Sequence, residues 1–182
     1  MTTVNEMFLG FNEKLEEAYN LGEIINPFHK RECTVIIACG SERGTTLVFA
    51  MALQNAILET GIKCYLTEMN DFEYFQSMEY LIVLTSTYGT GNAPFNAFRF
   101  IRKFNASDIK ARFKYAVVGF GSKRYPKFCQ YAEKVDFLFR SNQYAQEWIP
   151  LTKIHERSLM EFHSWLNVLQ DKLEGQLAID FR

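Results

Sequence analysis

Three short, largely apolar segments each run directly into a loop of glycine and hydroxyl residues, and residues with helical spacing follow each loop. The segments are Cys33–Cys39, Tyr80–Thr85 and Tyr115–Phe120. Runs of this kind are typical of strands that are buried on both faces of a parallel sheet. Lys63–Glu68 and Tyr144–Leu151 are predicted as two further strands. The sequence therefore predicts an α/β fold with a doubly wound, five-stranded parallel sheet in the order 2-1-3-4-5.

Helical spacing of apolar residues predicts the helices that connect these strands. They cover about 45–60, about 96–104 and about 128–139, and a last helix opens at a capping box formed by Ser158 and Glu161. In the second of these helices, Phe98 and Ile101 are predicted to face the core.

An additional amphipathic helix is predicted over residues 1–22. It begins at a capping box of Thr3 and Glu6 and ends at Gly22. We expect this helix to pack on the main domain or on a partner protein. The predicted organisation is an N-terminal helix and linker over residues 1–32, a sheet domain over 33–174 and a C-terminal tail over 175–182.

The composition argues against several classes of protein. Among 182 residues, 20 basic and 21 acidic side chains give a net charge of −1, which argues against a nucleic-acid-binding tail. No stretch of about 18 apolar residues and no signal peptide is evident, so we expect no membrane partner. The four cysteines form no CxxC pair. We therefore expect a cytoplasmic protein with reduced thiols and no metal site.

The loop after the first predicted strand has the residues of an anion-binding site. Its residues are Ser41, Glu42, Arg43, Gly44, Thr45 and Thr46. Free backbone N–H groups and the dipole at the start of the next helix favour an anion there, and the hydroxyl groups add donors. The loop lacks the lysine of a GxxxxGKS/T nucleotide loop and the GxGxxG dinucleotide motif, so a monophosphate fits it best. A helix start capped by Ser or Thr, without a ligand, is the alternative interpretation.

The loops after the third and fourth predicted strands each contain a tyrosine among glycines. The second loop consists of Ser86, Thr87, Tyr88, Gly89, Thr90 and Gly91, and the third includes Gly121, Ser122 and Tyr125. Two tyrosine rings can hold a planar ring between them, and glycine amides can reach its edge. Each tyrosine alone is also explained as a core or rim residue. A planar ring at one end and a monophosphate at the other describe flavin mononucleotide, FMN.

With these loops, the chain resembles the FMN-binding, flavodoxin-like domain of diflavin reductases such as NADPH–cytochrome reductases, sulfite reductase flavoproteins and the nitric-oxide synthase reductase region. The family's central loop reads roughly S/A-T-Y-G-x-G-x-x-P, and residues 86–94 match it. Its third loop reads roughly G-x-G-D/N-x-x-Y-x-x-F-C/N, which residues 119–129 fit except at Ser122. Phe162 and Trp165 match the F-x-x-W of its closing helix, and the resemblance covers about residues 33–170.

The resemblance implies a role for each loop. The phosphate would be held by Ser41, Gly44, Thr45 and Thr46, one ring face would be lined by Thr87, Tyr88, Gly89 and Gly91, and the other by Phe120, Gly121, Tyr125, Phe128 and Cys129. The carbonyl of Gly89 would reorient toward the reduced flavin.

The sequence departs from the family pattern in its charges. Arg43 stands where the family has Thr, and it either neutralises the phosphate or crowds it. Ser122 replaces Asn or Asp, and Thr90 and Asn92 are neutral where acids are common. Fewer negative charges near the ring are expected to raise the redox potential of the flavin.

We expect an oxidoreductase component that carries electrons through FMN, with no catalytic side chain of its own. Because 182 residues leave no room for FAD- and NADPH-binding parts, the donor would be an FAD/NADPH reductase domain or protein, and the recipient a redox acceptor protein. A candidate basic rim for docking, or an ordinary solvated surface, is formed by Lys110, Arg112, Lys114, Lys123, Arg124 and Lys127. Two alternatives stay open: a binding or scaffold module that has lost FMN, and a quinone-type reductase that takes hydride directly.

Overall fold

The computed structural model describes residues 10–180, with side chains up to residue 174. The strands are β1 Val35–Gly40, β2 Cys64–Glu68, β3 Tyr80–Ser86, β4 Phe113–Gly121 and β5 Ala145–His155. The helices are α1 Phe11–Leu21, α2 Thr45–Glu59, α3 Phe100–Ala106, α4 Gln130–Arg140 and α5 Leu159–Asp180, with short 3-10 turns at Lys30–Glu32 and Met69–Asp71. The strands are parallel and lie in the order β2-β1-β3-β4-β5. The predicted fold, strand order and additional N-terminal helix are confirmed.

Successive residues of the central strands point to opposite faces of the sheet, and helices cover both faces. In β1, Ile37 belongs to the core under α1, α2 and α5, whereas Ile36 belongs to the core under α3 and α4. Both side chains are fully buried. The strands are apolar at consecutive positions because neither face of the sheet meets water.

The N-terminal segment packs on the sheet domain of the same chain. The Phe11 ring of α1 lies 5.4 Å from the Phe162 ring of α5, measured between centroids. In the linker after α1, the Asn26 side chain accepts a hydrogen bond from the N–H of Leu66 and donates one to its carbonyl, both at 2.9 Å. These bonds occupy the free edge of β2, the outer strand of the sheet.

The described part of α1 begins at Phe11. Gly10 precedes it with a left-handed backbone, at a φ of 75°. A continuous helix through this position, as predicted for residues 1–22, is therefore wrong, because an α-helix needs negative φ throughout. The predicted capping box of Thr3 and Glu6 lies outside the described residues.

The predicted orientation of Phe98 is wrong. Helix α3 begins at Phe100 rather than near Asn96, and its core-facing side chains are Phe100 and Phe104. Phe98 lies before the helix and is 54% exposed, whereas Ile101 is half-buried and packs against the core as predicted.

The last strand and helix extend further than predicted. Strand β5 continues past Leu151 to His155. Only one of the two hydrogen bonds of the predicted capping box forms at the start of α5: the N–H of Glu161 donates to Ser158 Oγ at 3.2 Å. The Glu161 carboxylate accepts instead from the N–H of His155, at 2.6 Å. Because α5 runs to Asp180, residues 175–180 of the predicted tail are helical, and the domain boundary at residue 174 stays a prediction.

The predicted basic rim is not a single surface. Lys110, Arg112 and Lys114 lie at the amino end of β4, and Lys123, Arg124 and Lys127 follow its carboxyl end. A strand of nine residues separates the two groups by roughly 27–30 Å. At the carboxyl end, Lys123 pairs with Glu161 at 3.7 Å and Arg124 with Glu156 at 3.2 Å.

Two classes of feature are missing from the part of the chain that the structure describes. None of its helices combines the length and the hydrophobicity needed to cross a bilayer. Among the same residues, no group of three or more His, Cys, Asp and Glu side chains could hold a metal ion. The cysteines Cys33, Cys39, Cys64 and Cys129 are all buried free thiols.

Candidate functional site

The three predicted loops leave the carboxyl ends of adjacent strands at one level. Gly40 of β1 is in register with Thr85 of β3, and Ser86 of β3 is in register with Phe120 of β4. Adjacent strands lie about 4.8 Å apart, so the loops start side by side. The N–H of Thr87 also donates to the Phe120 carbonyl at 3.2 Å and ties the second loop to the third. Doubly wound sheets bind ligands at this edge, where the order of strands reverses.

The first loop presents free backbone donors in front of α2. The N–H of Ser41 donates to the buried Asn96 Oδ1 at 2.7 Å, and Ser41 Oγ accepts from the N–H of Thr46 at 3.2 Å. Within the described part of the chain, backbone N–H groups without an acceptor follow directly, at Glu42, Arg43 and Gly44. Gly44 has a φ of 77°, and a side chain built there would meet nothing within 4 Å. The loop is therefore a fixed, open cradle of donors.

The electrostatics of this cradle favour an anion. Helix α2 has 15 residues, no acidic side chain in its first turn and no side-chain acceptor at its N-cap, Gly44. The positive end of the helix dipole therefore faces the cradle. The Glu42 carboxylate accepts from the N–H of Phe95 at 2.7 Å. Arg43 is exposed and has no ion-pair partner among the described residues. Its guanidinium therefore adds a positive charge that would attract a phosphate.

A groove of about 790 Å³ adjoins the first loop. It lies between α1 and α2 and shares Arg43, Gly44 and Thr45 with the loop. None of its lining residues belongs to the second or third loop. The ring end of the predicted site is therefore an open surface at the sheet edge rather than part of this groove.

The second loop places an aromatic face beside an unhindered glycine. The backbone of Tyr88 pairs with that of Asn92 at 2.9 and 2.8 Å, so the loop turns back on itself, and the Tyr88 ring is 49% exposed. Gly89 has a φ of 52°, and the nearest atom to a Cβ built there is 4.0 Å away. Thr87 Oγ1 accepts from the N–H of Tyr131 at 3.1 Å and fixes the base of the loop to α4.

The third loop presents Tyr125, whose ring is 65% exposed. Its N–H donates to the carbonyl of Ser122 at 3.1 Å. The hydroxyl of Ser122 donates to the Glu156 carboxylate at 3.0 Å and accepts from the N–H of Arg124 at 3.3 Å. These bonds hold the third loop against the segment that follows β5.

Some predicted site residues lie beneath the surface. The Phe120 ring is 2% exposed and packs against Phe49 and Phe162, with ring centroids 5.1 and 5.9 Å away. Cys129 is fully buried, and burial raises the pKa of its thiol to about 12. The side chains of Phe120 and Cys129 therefore support the loop from below and do not line an exposed ring face. Ser41, Thr46 and Gly91 are also buried. The other predicted site residues are exposed or half-buried: Glu42, Arg43, Gly44, Thr45, Ser86, Thr87, Tyr88, Gly89, Thr90, Gly121, Ser122, Tyr125 and Phe128.

Sequence reasoning missed two residues that shape the site. Asn96 fixes the first loop through the N–H of Ser41. His155, at the end of β5, accepts from the N–H of Lys123 through its Nδ1 at 3.2 Å and fixes the third loop. A lone asparagine between the apolar residues Phe95 and Ala97 was the available signal for the first of them, because a polar side chain buried among apolar ones needs a partner.

Replacing Asn96 with leucine is expected to destabilise the protein and to disturb the first loop. The buried N–H of Ser41 would lose its acceptor, which costs roughly 1–3 kcal/mol. Urea denaturation measures this loss, and Asn105→Leu is the matched control because Asn105 is exposed on α3. Equal stability of the two variants would show that the Asn96 bond does not hold the loop.

Comparison with known proteins shows which family the chain belongs to. Residues 37–165 match the sequence model of the family described as Flavodoxin. This chain belongs to the flavodoxin family. The Streptococcus pneumonia TIGR4 flavodoxin superposes with a TM-score of 0.66 at 22% identity, covering 78% of this chain and 98% of that one. A flavodoxin variant from Pseudomonas aeruginosa gives a TM-score of 0.65 at 21% identity, over 77% of this chain and 98% of that one.

Sequence relatives of this flavodoxin-family chain include nitric oxide synthases. The inducible enzyme of Oncorhynchus mykiss is 32% identical over 159 residues, which are 81% of this chain and 33% of that protein. The inducible enzyme of Homo sapiens is 36% identical over 88 residues, 47% of this chain and 8% of that protein. The chain therefore spans a third or less of these two relatives.

The residues at the sheet edge fit FMN. An uncompensated helix N-terminus with free amides suits its phosphate, and two exposed tyrosine rings on adjacent loops suit its planar ring system. Family membership confirms the predicted resemblance and the predicted cofactor, FMN, and supports electron transfer as the general class of function.

Proposed function

We propose that this chain accepts electrons from an FAD- and NADPH-containing reductase and passes them to an acceptor protein through FMN bound at the carboxyl edge of its sheet. One observation carries the proposal: the anion cradle before α2 and the exposed rings of Tyr88 and Tyr125 lie on loops from adjacent strands. A ligand with a phosphate and a planar ring needs both ends at once. The similarity to nitric oxide synthases supports a reductase as the donor.

Each part of the site has a separate role in this proposal. The free N–H groups of Glu42, Arg43 and Gly44 bind the phosphate. The rings of Tyr88 and Tyr125 stack on the two faces of the flavin and keep water from them. Bound FMN would supply the electron chemistry, for which no amino-acid side chain substitutes.

The peptide group of Gly89 would change its orientation with the redox state of the flavin. A glycine adopts positive and negative φ with little difference in energy, so the carbonyl can turn toward a ring N–H or away from it. The open space around Gly89 leaves room for this rotation.

Titration of the flavin-free protein with FMN and with riboflavin tests the cofactor assignment. FMN is expected to bind about 100-fold more tightly or better, because riboflavin lacks the phosphate and charge-assisted hydrogen bonds contribute roughly 1.5–3 kcal/mol each. Quenching of flavin fluorescence measures both dissociation constants. Equal affinities would mean that the cradle holds no phosphate, and no binding of either flavin would favour a scaffold module without FMN.

A second measurement tests the direction of electron flow. The FMN-loaded protein is expected to stay oxidised with NADPH alone. It should bleach near about 450 nm, the usual flavin band, once the FAD/NADPH-binding part of an inducible nitric oxide synthase is added. Bleaching by NADPH alone would instead support a reductase that takes hydride directly.

A further inference from the structure

A pair of exposed aromatic rings lies beside the first loop, outside the site described above. Phe95 is 76% exposed and Phe98 is 54% exposed, and their ring centroids lie 6.1 Å apart. The guanidinium of Arg99 lies 5.1 Å from the centre of the Phe98 ring. With Arg102, one turn along α3, these residues form what we call the Phe–Arg patch. Contiguous exposed apolar surface of this kind is typical of interaction sites.

The backbone under the Phe–Arg patch is held rigidly. Asn70 donates through its side chain to the carbonyl of Phe95 at 2.9 Å and accepts through Oδ1 from the N–H of Arg99 at 2.8 Å. The N–H of Asn70 donates to the carbonyl of Asn96 at 2.8 Å. Because the loop is already ordered, a partner that binds the patch would lose little conformational entropy in fixing it, as expected of a preformed binding surface.

The stretch of chain that carries the patch has charges of one sign. Residues 88–107 contain three basic side chains, Arg99, Arg102 and Lys103, and no acidic one. Neither Arg99 nor Arg102 has an ion-pair partner among the described residues. The carboxylate of Glu42 lies beside the patch, where it accepts from the N–H of Phe95, but it forms no ion pair with Arg99 or Arg102. A partner for this surface would therefore bring carboxylates around an apolar centre.

The patch is continuous with the proposed FMN site. The N–H of Phe95 bonds to Glu42 of the first loop at 2.7 Å, and the next residue, Asn96, bonds to Ser41 of the same loop at 2.7 Å. The second loop ends a few residues before the patch begins. A protein bound to the patch would cover the edge of the sheet where the flavin is proposed to lie.

We propose that the Phe–Arg patch is the docking surface for an acidic electron-transfer protein. Phe95 and Phe98 form the apolar centre of the contact, and Arg99 and Arg102 pair with the partner's carboxylates. The electron-transfer part rests on the proposed function: one electron leaves the reduced flavin, and the ferric haem iron of a haem-protein partner becomes ferrous. The docking part depends only on the residues of the patch.

Two haem proteins of opposite charge serve as probes: the acidic cytochrome b5 and the basic cytochrome c. Calorimetric titration of the flavin-free protein at low salt is expected to show binding of cytochrome b5 at least about tenfold tighter than that of cytochrome c. The affinity for cytochrome b5 should fall as salt is raised from about 20 to about 300 mM, because salt screens the pairs. Tighter binding of cytochrome c would overturn the proposal.

Two pairs of variants locate the binding surface. Phe95→Ser with Phe98→Ser, and separately Arg99→Glu with Arg102→Glu, are each expected to raise the Kd for cytochrome b5 about tenfold or more. The controls are Phe137→Ser, whose ring is 72% exposed on α4, and Arg112→Glu, exposed at the opposite edge of the sheet. Unchanged affinity of the patch variants, or equal loss in the controls, would exclude the patch as the docking surface.

The same variants separate this proposal from the proposed function. If the protein fails to bind FMN but the patch variants still lose cytochrome b5, docking stands and the electron-carrier function fails. If FMN binds and the patch variants reduce cytochrome b5 at the wild-type rate after photoreduction, the docking proposal fails alone. Gel filtration at micromolar concentration tests for self-association through the patch. If the wild type is a dimer and the variant with Phe95→Ser and Phe98→Ser is a monomer, the patch is a contact between two copies of this chain, and the proposal is overturned.

Discussion

Replacing Tyr88 and Tyr125 together with alanine is expected to weaken FMN binding about a hundredfold or more. Both rings are exposed, at 49% and 65%, on loops that leave neighbouring strands. Stacking of an aromatic side chain on a planar base contributes about 1–3 kcal/mol, and a flavin ring held on two faces would lose two such contacts. The dissociation constant is measured by flavin fluorescence.

The controls for this prediction separate stacking from general surface effects. Phe137→Ala removes a ring that is 72% exposed on α4, outside the groove beside the first loop, and it should leave the FMN affinity unchanged. Phenylalanine at positions 88 and 125 should retain most of the affinity, because stacking needs the ring and not the hydroxyl. An alanine variant that binds FMN as tightly as the wild type would exclude both tyrosines from the ring site.

Replacing Phe139 with alanine is expected to lower the free energy of unfolding by about 3–5 kcal/mol, the usual cost of removing a buried ring. Phe139 is fully buried at the centre of an aromatic cluster. Its ring centroid lies 5.0 Å from that of Phe104 and 4.9 Å from that of Tyr115. The rings of Phe100 and Phe113 lie 6.2 Å away as well, so removing Phe139 would leave a cavity bounded by rings.

The chain offers a matched control two residues away. Phe137 lies on the same helix, α4, and is 72% exposed, so Phe137→Ala removes the same atoms from the surface rather than from the core. We expect it to change the free energy of unfolding by less than about 0.5 kcal/mol. Urea denaturation of both variants checks the difference, and similar losses would show that Phe139 is not the centre of that core.

The sheet could be predicted because burial on both faces leaves a simple trace in the sequence. Residues 35–39 and 80–84 are apolar at every position, and their short length and the turn residues beside them favour strands over buried helix segments. The order of strands followed from the alternation with helices and from the order common in doubly wound folds with five strands. Both predictions use patterns formed by residues that are close in the sequence.

The start of α3 could not be predicted in the same way. Two sets of apolar residues in this stretch have helical spacing, Phe98 with Ile101 and Phe100 with Phe104. The structure buries Phe100 and Phe104, packs Ile101 partly against the same core and leaves only Phe98 exposed. Phe98 is exposed because Asn70 holds the backbone on both sides of it in turns. A hydrogen bond from a residue so distant in the sequence leaves no periodic signal.

The site was predicted at the level of loops more reliably than at the level of side chains. The three loops converge as expected, but Phe120 faces the core. Strict alternation along β4 places Ala116, Val118 and Phe120 on one buried face, so this orientation could have been read from the sequence. The bond from Ser41 to Asn96 could not, because the two residues are 55 positions apart.

The hydrogen bonds of Asn26 have a consequence for the solution behaviour of shortened forms. An outer strand with free N–H and C=O groups is a template on which a second molecule can add a strand, and this is a route to aggregation. By binding both groups of Leu66, Asn26 blocks that template at the middle of β2. A version of the chain that begins at β1 would uncover it, so its colloidal stability should fall even if the sheet itself folds.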